Sequence, residues 1–149
     1  AVSAERLHAA DRRTKAIHVV SLTGAYQSRF TAVDAVRLAV GPHGQVAAIE
    51  RETQMPWLFG ADGKGRPLPV TGTGYQLRGP LDVAFDSLGH LYVLERDSVL
   101  VFTPAGEFLS VFAPGAAAGA FRMAVAFHVD DAGRLYVYDE DTERLQVFH

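Results

Sequence analysis

Residues 89–102 read GHLYVLERDSVLVF, and residues 133–148 read GRLYVYDEDTERLQVF. The two stretches share Gly-x-Leu-Tyr-Val, a charged connector and a closing Val-Phe, at a spacing of 44 residues. A fixed period of this size is the mark of a repeat architecture, and the rest of the chain keeps the same frame.

Three turn glycines set that frame: Gly44 in VGPHGQVAAIE, Gly89 in FDSLGHLYVLE and Gly133 in VDDAGRLYVYD, 45 and 44 residues apart. Before each turn apolar residues alternate: Val36, Leu38, Val40; Leu81, Val83, Phe85; Val125, Phe127, Val129. A two-residue period predicts strands with one buried face. After each turn Val46 and Ala48, Leu91 and Val93, and Leu135 and Val137 continue the alternation. Each unit therefore opens with a hairpin, its turn marked by Asp86 to Gly89 or Asp130 to Gly133.

A charged connector follows (ERETQ, ERDS, DEDTE), then a third apolar strand (PWLF, VLVF, LQVF). A second glycine turn (GADGKG, TPAGEF) leads to a fourth strand, LPV or FLSVF. Four short antiparallel strands per unit match one blade of a β-propeller. The N-terminus joins the pattern, because ERLHAADRRTKAIHVV (5–20) lies over GRLYVYDEDTERLQVF without a gap. A short Ala-rich helix over 3–13 is the competing reading, and the gapless match favours strands.

The expected fold is all-β: a partial β-propeller of about three and a half four-stranded antiparallel blades. The strands divide into 1–30 (partial blade), 31–72, 73–113 and 114–149 (partial blade) within one domain. Such an arc leaves two open flanks, so it reads as part of a six- or seven-bladed ring, or as one completed by oligomerisation.

The units resemble NHL repeats on the residues GPLDVAFDSLGHLYVLERDSVLVF (79–102) and AVAFHVDDAGRLYVYDEDTERLQVF (124–148). Arg144, Leu145, Gln146, Val147 and Phe148 stand where that family has its third strand. The family's connector Asn is replaced by Thr142 and Thr14, and the third unit's connector is two residues short. The resemblance implies a propeller and no single activity, since its members include protein- and RNA-binding platforms, sensor ectodomains and a few lyases or lactonase-like enzymes. It also tilts the setting towards a bacterial secreted or envelope protein.

Bulk properties bound the function. The chain has 149 residues, a net charge of −3 and no cysteine. The acidic balance argues against a nucleic-acid partner, and disulfides and thiolate metal sites are excluded. No apolar run is long enough to span a membrane, and the first residues lack the hydrophobic middle of a signal peptide.

Motifs for chemistry are sparse. Lactonase-type propellers hold a divalent metal with Glu, Asn and Asp, and this sequence has no Asn. The acidic run Asp139, Glu140, Asp141, Glu143 lacks the glycine and the distant Glu of an EF-hand, and reads as a solvated turn. No Gly-x-Ser-x-Gly elbow occurs, and GADGKG lacks the ending of a phosphate loop. Of six His, only His128 falls on a first strand, out of phase with its apolar neighbours. No cofactor and no metal are expected.

One constellation stands out. Arg78 and Arg122 occupy the same repeat position just before a first strand, next to Tyr75 and Phe121. The connectors entering first strands share a rim with the second-to-third connectors, which bring Arg51 and Arg96 together with Arg12 and Arg13. Guanidinium groups beside aromatic rings suit a small anionic ligand or an acidic loop of a protein partner. Solvated charge offset by Asp11, Glu50, Glu52, Glu95 and Asp97 is the plainer alternative. Expected roles are therefore recognition on the rim loops, a hydrolase or lyase completed by blades outside the chain, or a self-assembling structural repeat. Trp57 and Phe59 are expected in the core.

Overall fold

A computed structural model describes residues 1–3, 5–31, 33–68, 70, 73–112 and 121–149. Residues 71 and 72, shortly before Tyr75 and Arg78, and residues 113–120 between the last two units lie outside the described residues. The strands are β1 (Arg6–Asp11), β2 (Ala16–Ser21), β3 (Tyr26–Thr31), β4 (Ala35–Val40), β5 (Val46–Glu50), β6 (Pro56–Phe59) and β7 (Gly65–Pro67). They continue as β8 (Asp82–Phe85), β9 (Leu91–Leu94), β10 (Val99–Phe102), β11 (Phe108–Phe112), β12 (Ala124–Val129), β13 (Leu135–Asp139) and β14 (Arg144–Phe148). All pairings between them are antiparallel.

They form four sheets in chain order: β1-β2-β3, β4-β5-β6-β7, β8-β9-β10-β11 and β12-β13-β14. These are blades 1 to 4. Among the described residues blade 1 has three strands, and residues 1–3 run along the free edge of β1. His8 and Ala1 exchange backbone hydrogen bonds there, and Val2 bridges Leu7. The stretch read as either strand or helix is strand from Arg6 to Asp11.

Each turn glycine does what its position requires. Gly44, Gly89 and Gly133 have φ of 78°, 88° and 77°, a region that side chains disfavour. In blade 3 the Asp86 carboxylate accepts the backbone N–H groups of Leu88 and His90, and its other oxygen meets the His90 ring and the Tyr92 hydroxyl. Asp130 repeats this in blade 4 with Ala132, Arg134 and Tyr136. Blade 2 has Gly41 at the Asp position. A Cβ there would stand 2.6 Å from Gln45 Oε1, because that side chain folds into the vacated space and accepts the His43 N–H. The turn keeps its acceptor although the residue supplying it has moved four places.

The core lies between blades rather than within one. Ile17, Val19 and Phe30 meet Val46, Ala48 and Phe59 across the first seam. Ala47, Ile49, Leu58 and Leu68 meet Leu91, Val93, Leu100 and Phe102 across the second. Leu94 and Val99 meet Phe121, Ala124, Leu135 and Val137 across the third. Trp57 and Phe59 stack with centroids 6.0 Å apart, and Phe59 stacks on Phe30 at 5.7 Å, so both lie in the first seam as expected.

The expectation of one buried face per strand needs correcting. A blade between two neighbours buries both faces, so Val46, Ala47, Ala48 and Ile49 are all fully buried. The predicted phase also fails at the start of β4 and β12. Bulges between Ala35 and Arg37 and between Ala124 and Ala126 insert one residue each. Ala124 then turns inward, while Val125 is left 45% exposed.

The turn carboxylates titrate with the fold. The Arg134 backbone N–H, the partly opposing burial, and the Arg134 and Tyr136 side chains together lower the Asp130 pKa to about 2. The stabilisation is present above the ordinary value of 3.8 and is lost as pH falls towards 2. Asp130→Asn should therefore flatten the loss of stability across that window, as read by denaturant midpoints at stepped pH.

Candidate functional site

The rim that carries the connectors is built on a second set of carboxylates, found at one repeat position. Asp11, Glu50 and Asp139 each end the second strand of their blade, and Glu95 directly follows it. The first two cap their own connector: Asp11 accepts from the Arg13 N–H and the Thr14 hydroxyl, and Glu50 from the Thr53 N–H and hydroxyl. The other two reach further. Glu95 accepts the Arg78 backbone N–H and the hydroxyls of Tyr75 (2.6 Å) and Ser98 (3.2 Å). Asp139 accepts from the backbone N–H groups of Arg122, Met123 and Asp141 and from the Thr142 hydroxyl, at 3.2–3.3 Å.

Both carboxylates have no exposed surface. The view of Glu95 as offsetting solvent charge, and of Asp139 as part of a solvated turn, is therefore corrected. A buried carboxylate must have its lone pairs filled, and these are filled by the segment that enters the first strand of the same blade together with the connector that follows the carboxylate. Glu140, Asp141 and Glu143 do remain exposed. The signal missed in the sequence was the constant offset of six residues from Gly89 to Glu95 and from Gly133 to Asp139.

This scaffold places the predicted rim residues. Arg78 is exposed, 3.4 Å from Asp97, with its guanidinium carbon 5.8 Å from the centre of the Tyr75 ring. Tyr75 is half-buried, and burial together with its bond to Glu95 raises its pKa. Arg51 lies 3.2 Å from Asp34, and Arg12 reaches the same oxygen at 4.0 Å. Arg96 and Arg122 are exposed, and the Arg96 carbonyl accepts the Ala124 N–H at 2.9 Å, which sets the two residues on either side of the blade 3–blade 4 seam. Neither they nor Arg13 have an ion-pair partner among the described residues.

Phe121 does not share this setting. Its ring is 1% exposed and makes edge contacts with Phe148 in the third seam, 5.9 Å between centroids, so it is core and not a rim aromatic. Phe121 is buried in the seam and the next residue, Arg122, is exposed.

A cleft of about 520 Å³ opens on the opposite side, among the first hairpin turns, lined by His8, Phe30, Pro42, Phe85 and Asp86. The rim arginines are not part of its lining. Asp86 is already bound to its own turn, and His8 Nδ1 is shut away from solvent without a partner. The charged rim is the better candidate. Among the described residues, no group of three or more His, Asp or Glu is placed to hold a metal ion. Among the described residues no helix is long and apolar enough to cross a membrane.

Solved structures share this arrangement of sheets. A streptogramin B lyase superposes with a TM-score of 0.69 at 14% identity, covering 99% of this chain and 52% of its own. Virginiamycin B lyase from Staphylococcus aureus, an inactive variant with quinupristin, gives 0.70 at 14%, covering 99% and 53%. A gluconolactonase from Xanthomonas campestris gives 0.59 at 18%, covering 82% and 40%. The chain is a partial β-propeller. It spans about half the length of the first two structures it resembles. No family model and no curated protein sequence matches it.

The buried carboxylates generate a direct test of the rim. Glu95→Gln and Asp139→Asn each turn an acceptor towards backbone N–H groups into a partial donor, and should cost about 1–3 kcal/mol. Exposed Glu140→Gln should stay within about 0.5 kcal/mol. Denaturant unfolding of the three variants reads the difference.

Proposed function

We propose that this chain is the recognition segment of an NHL-like propeller, and that its connector rim binds an anionic ligand or the acidic loop of a protein partner through Arg96 and Arg122. The observation that carries this is the unequal pairing of the rim arginines. Arg12, Arg51 and Arg78 already face Asp34 or Asp97. Arg96 and Arg122 are free of such partners among the described residues, and a shared backbone hydrogen bond holds their segments together. Two unpaired guanidinium groups on a stiff support can take two carboxylate or phosphate oxygens without first breaking an internal ion pair. Arg78, stacked on Tyr75, flanks this centre, and Arg51 stands further round the rim.

A second reading, a hydrolase or lyase, draws on the names of the similar structures, a lyase and a gluconolactonase. It asks for acid–base or metal-binding groups from blades outside this chain, and a lactone panel with metal analysis would reveal it.

Calorimetric titration with citrate and with inorganic pyrophosphate tests the binding reading. Saturable binding is expected, weaker at high salt. Replacing Arg96 and Arg122 together by Ala should weaken it at least about tenfold, near 1.4 kcal/mol, while Arg51→Ala changes it little. Absence of saturable binding, or a double variant that binds like the parent, would reject it.

A further inference from the structure

Blades 3 and 4 each enclose a turn carboxylate between two donors set four and six residues after it. Asp86 meets the His90 ring at 2.9 Å and the Tyr92 hydroxyl at 3.3 Å. Asp130 meets the Arg134 guanidinium at 2.7 Å and the Tyr136 hydroxyl at 3.1 Å. Blade 2 has replaced the whole set: Gly41 stands at the Asp position, Gln45 folds into its place, and Ala47 offers no side-chain donor. Blade 1 has lost only the acid. Arg6 falls over Arg134 and His8 over Tyr136, but the residue four before Arg6 is Val2.

Arg6 and His8 thus keep a donor pair that no turn carboxylate fills. Arg6 is exposed and has no ion-pair partner among the described residues. His8 is buried, and its Nδ1 has no hydrogen-bond partner. Standing two apart on β1, they share one face of the strand, and both line the cleft of about 520 Å³. That face runs on from His8 through Val19 to Ser28 on the neighbouring strands, which line the cleft too. Phe30, Val40 and Phe85 add apolar walls, and Glu5 and Asp131 add negative charge.

We propose that this cleft binds a small monocarboxylate with an apolar body, Arg6 and His8 taking its carboxylate as Arg134 and Tyr136 take Asp130. The body lies against Phe30, Val40 and Phe85. Guanidinium-to-carboxylate hydrogen bonds are charge-assisted and among the stronger polar contacts a site can offer. A buried ring nitrogen without a partner is costly to leave unfilled, and a bound carboxylate removes that cost. A neutral ligand of the same shape leaves the guanidinium and the ring unanswered. A second carboxylate on the ligand meets the like charge of Glu5 and Asp131. The class is therefore one acid group on an apolar frame, distinct from the polyanions that suit the rim on the other face.

NMR titration with hexanoate, following the His8 ring and the backbone amides, tests this. Saturable shifts are expected at Arg6, His8 and Phe85, with hexanol and adipate binding at least about tenfold more weakly. Arg6→Gln should weaken hexanoate binding at least about tenfold. Arg13→Gln, an equal change of charge on the connector rim, should stay within about twofold. The spectra report whether each variant is folded, and the preference for hexanoate over hexanol in the parent needs no variant. Hexanol or adipate binding as well as hexanoate would overturn the proposal. So would the absence of saturable shifts up to about 20 mM hexanoate, or an Arg6→Gln protein that binds like the parent. Citrate and pyrophosphate binding at the rim is read separately, so failure of either reading leaves the other standing.

Discussion

A twisted sheet that is apolar on both faces cannot be stable alone. It needs a partner on each side, and every other feature of this chain follows from how that need is met. Burying a side chain such as Leu91 or Ile49 contributes about 1.5–3 kcal/mol. Three seams collect such residues from both walls. Within a blade the hydrogen-bonded ladder fixes spacing and direction, but the driving force acts between blades. That is why the repeat period governs the sequence so strongly, and why the ends of the arc are its exposed apolar surfaces.

Stacking positions whole blades, and two sets of carboxylates fix the loops that belong to each. Asp86 and Asp130 lock the hairpin turns on one face. Glu95 and Asp139, fully buried, hold the incoming connector against the end of the second strand on the other. A rigid rim is what a recognition surface needs, because little ordering entropy remains to be lost on binding. Arg96 and Arg122 inherit their positions from these anchors. The rim's chemistry therefore depends on acids that never reach solvent.

Much of this was legible in the sequence. Strand order in all four blades followed from glycine spacing and alternation, and the gapless overlay of 5–20 on 133–148 found strand where composition also suited a helix. Three features were not legible, each for a physical reason. Bulges at Val36 and Val125 shift phase by one residue, which an alternation pattern cannot reveal. A buried Asp139 and an exposed Asp141 look alike in a charged turn, since only three-dimensional pairing tells a hydrogen-bonded carboxylate from a solvated one. Phe121 and Arg122 are adjacent yet lie in the core and at the surface, so grouping them as one aromatic–arginine pair mixed two environments. Arg78 and Arg122 are matched in the repeat, as are Asp97 and Asp141, yet only Arg78 and Asp97 form an ion pair among the described residues.

The most direct test of the stacked-blade account is methyl and aromatic NOE spectroscopy across the seams. The account predicts contacts from Ile17 to Val46, from Ile49 to Leu91 and from Leu94 to Val137. It also predicts no continuous ladder of backbone contacts between β7 and β8, where one sheet ends and the next begins. A continuous ladder there, with the cross-seam contacts missing, would describe a single wrapped sheet and contradict it.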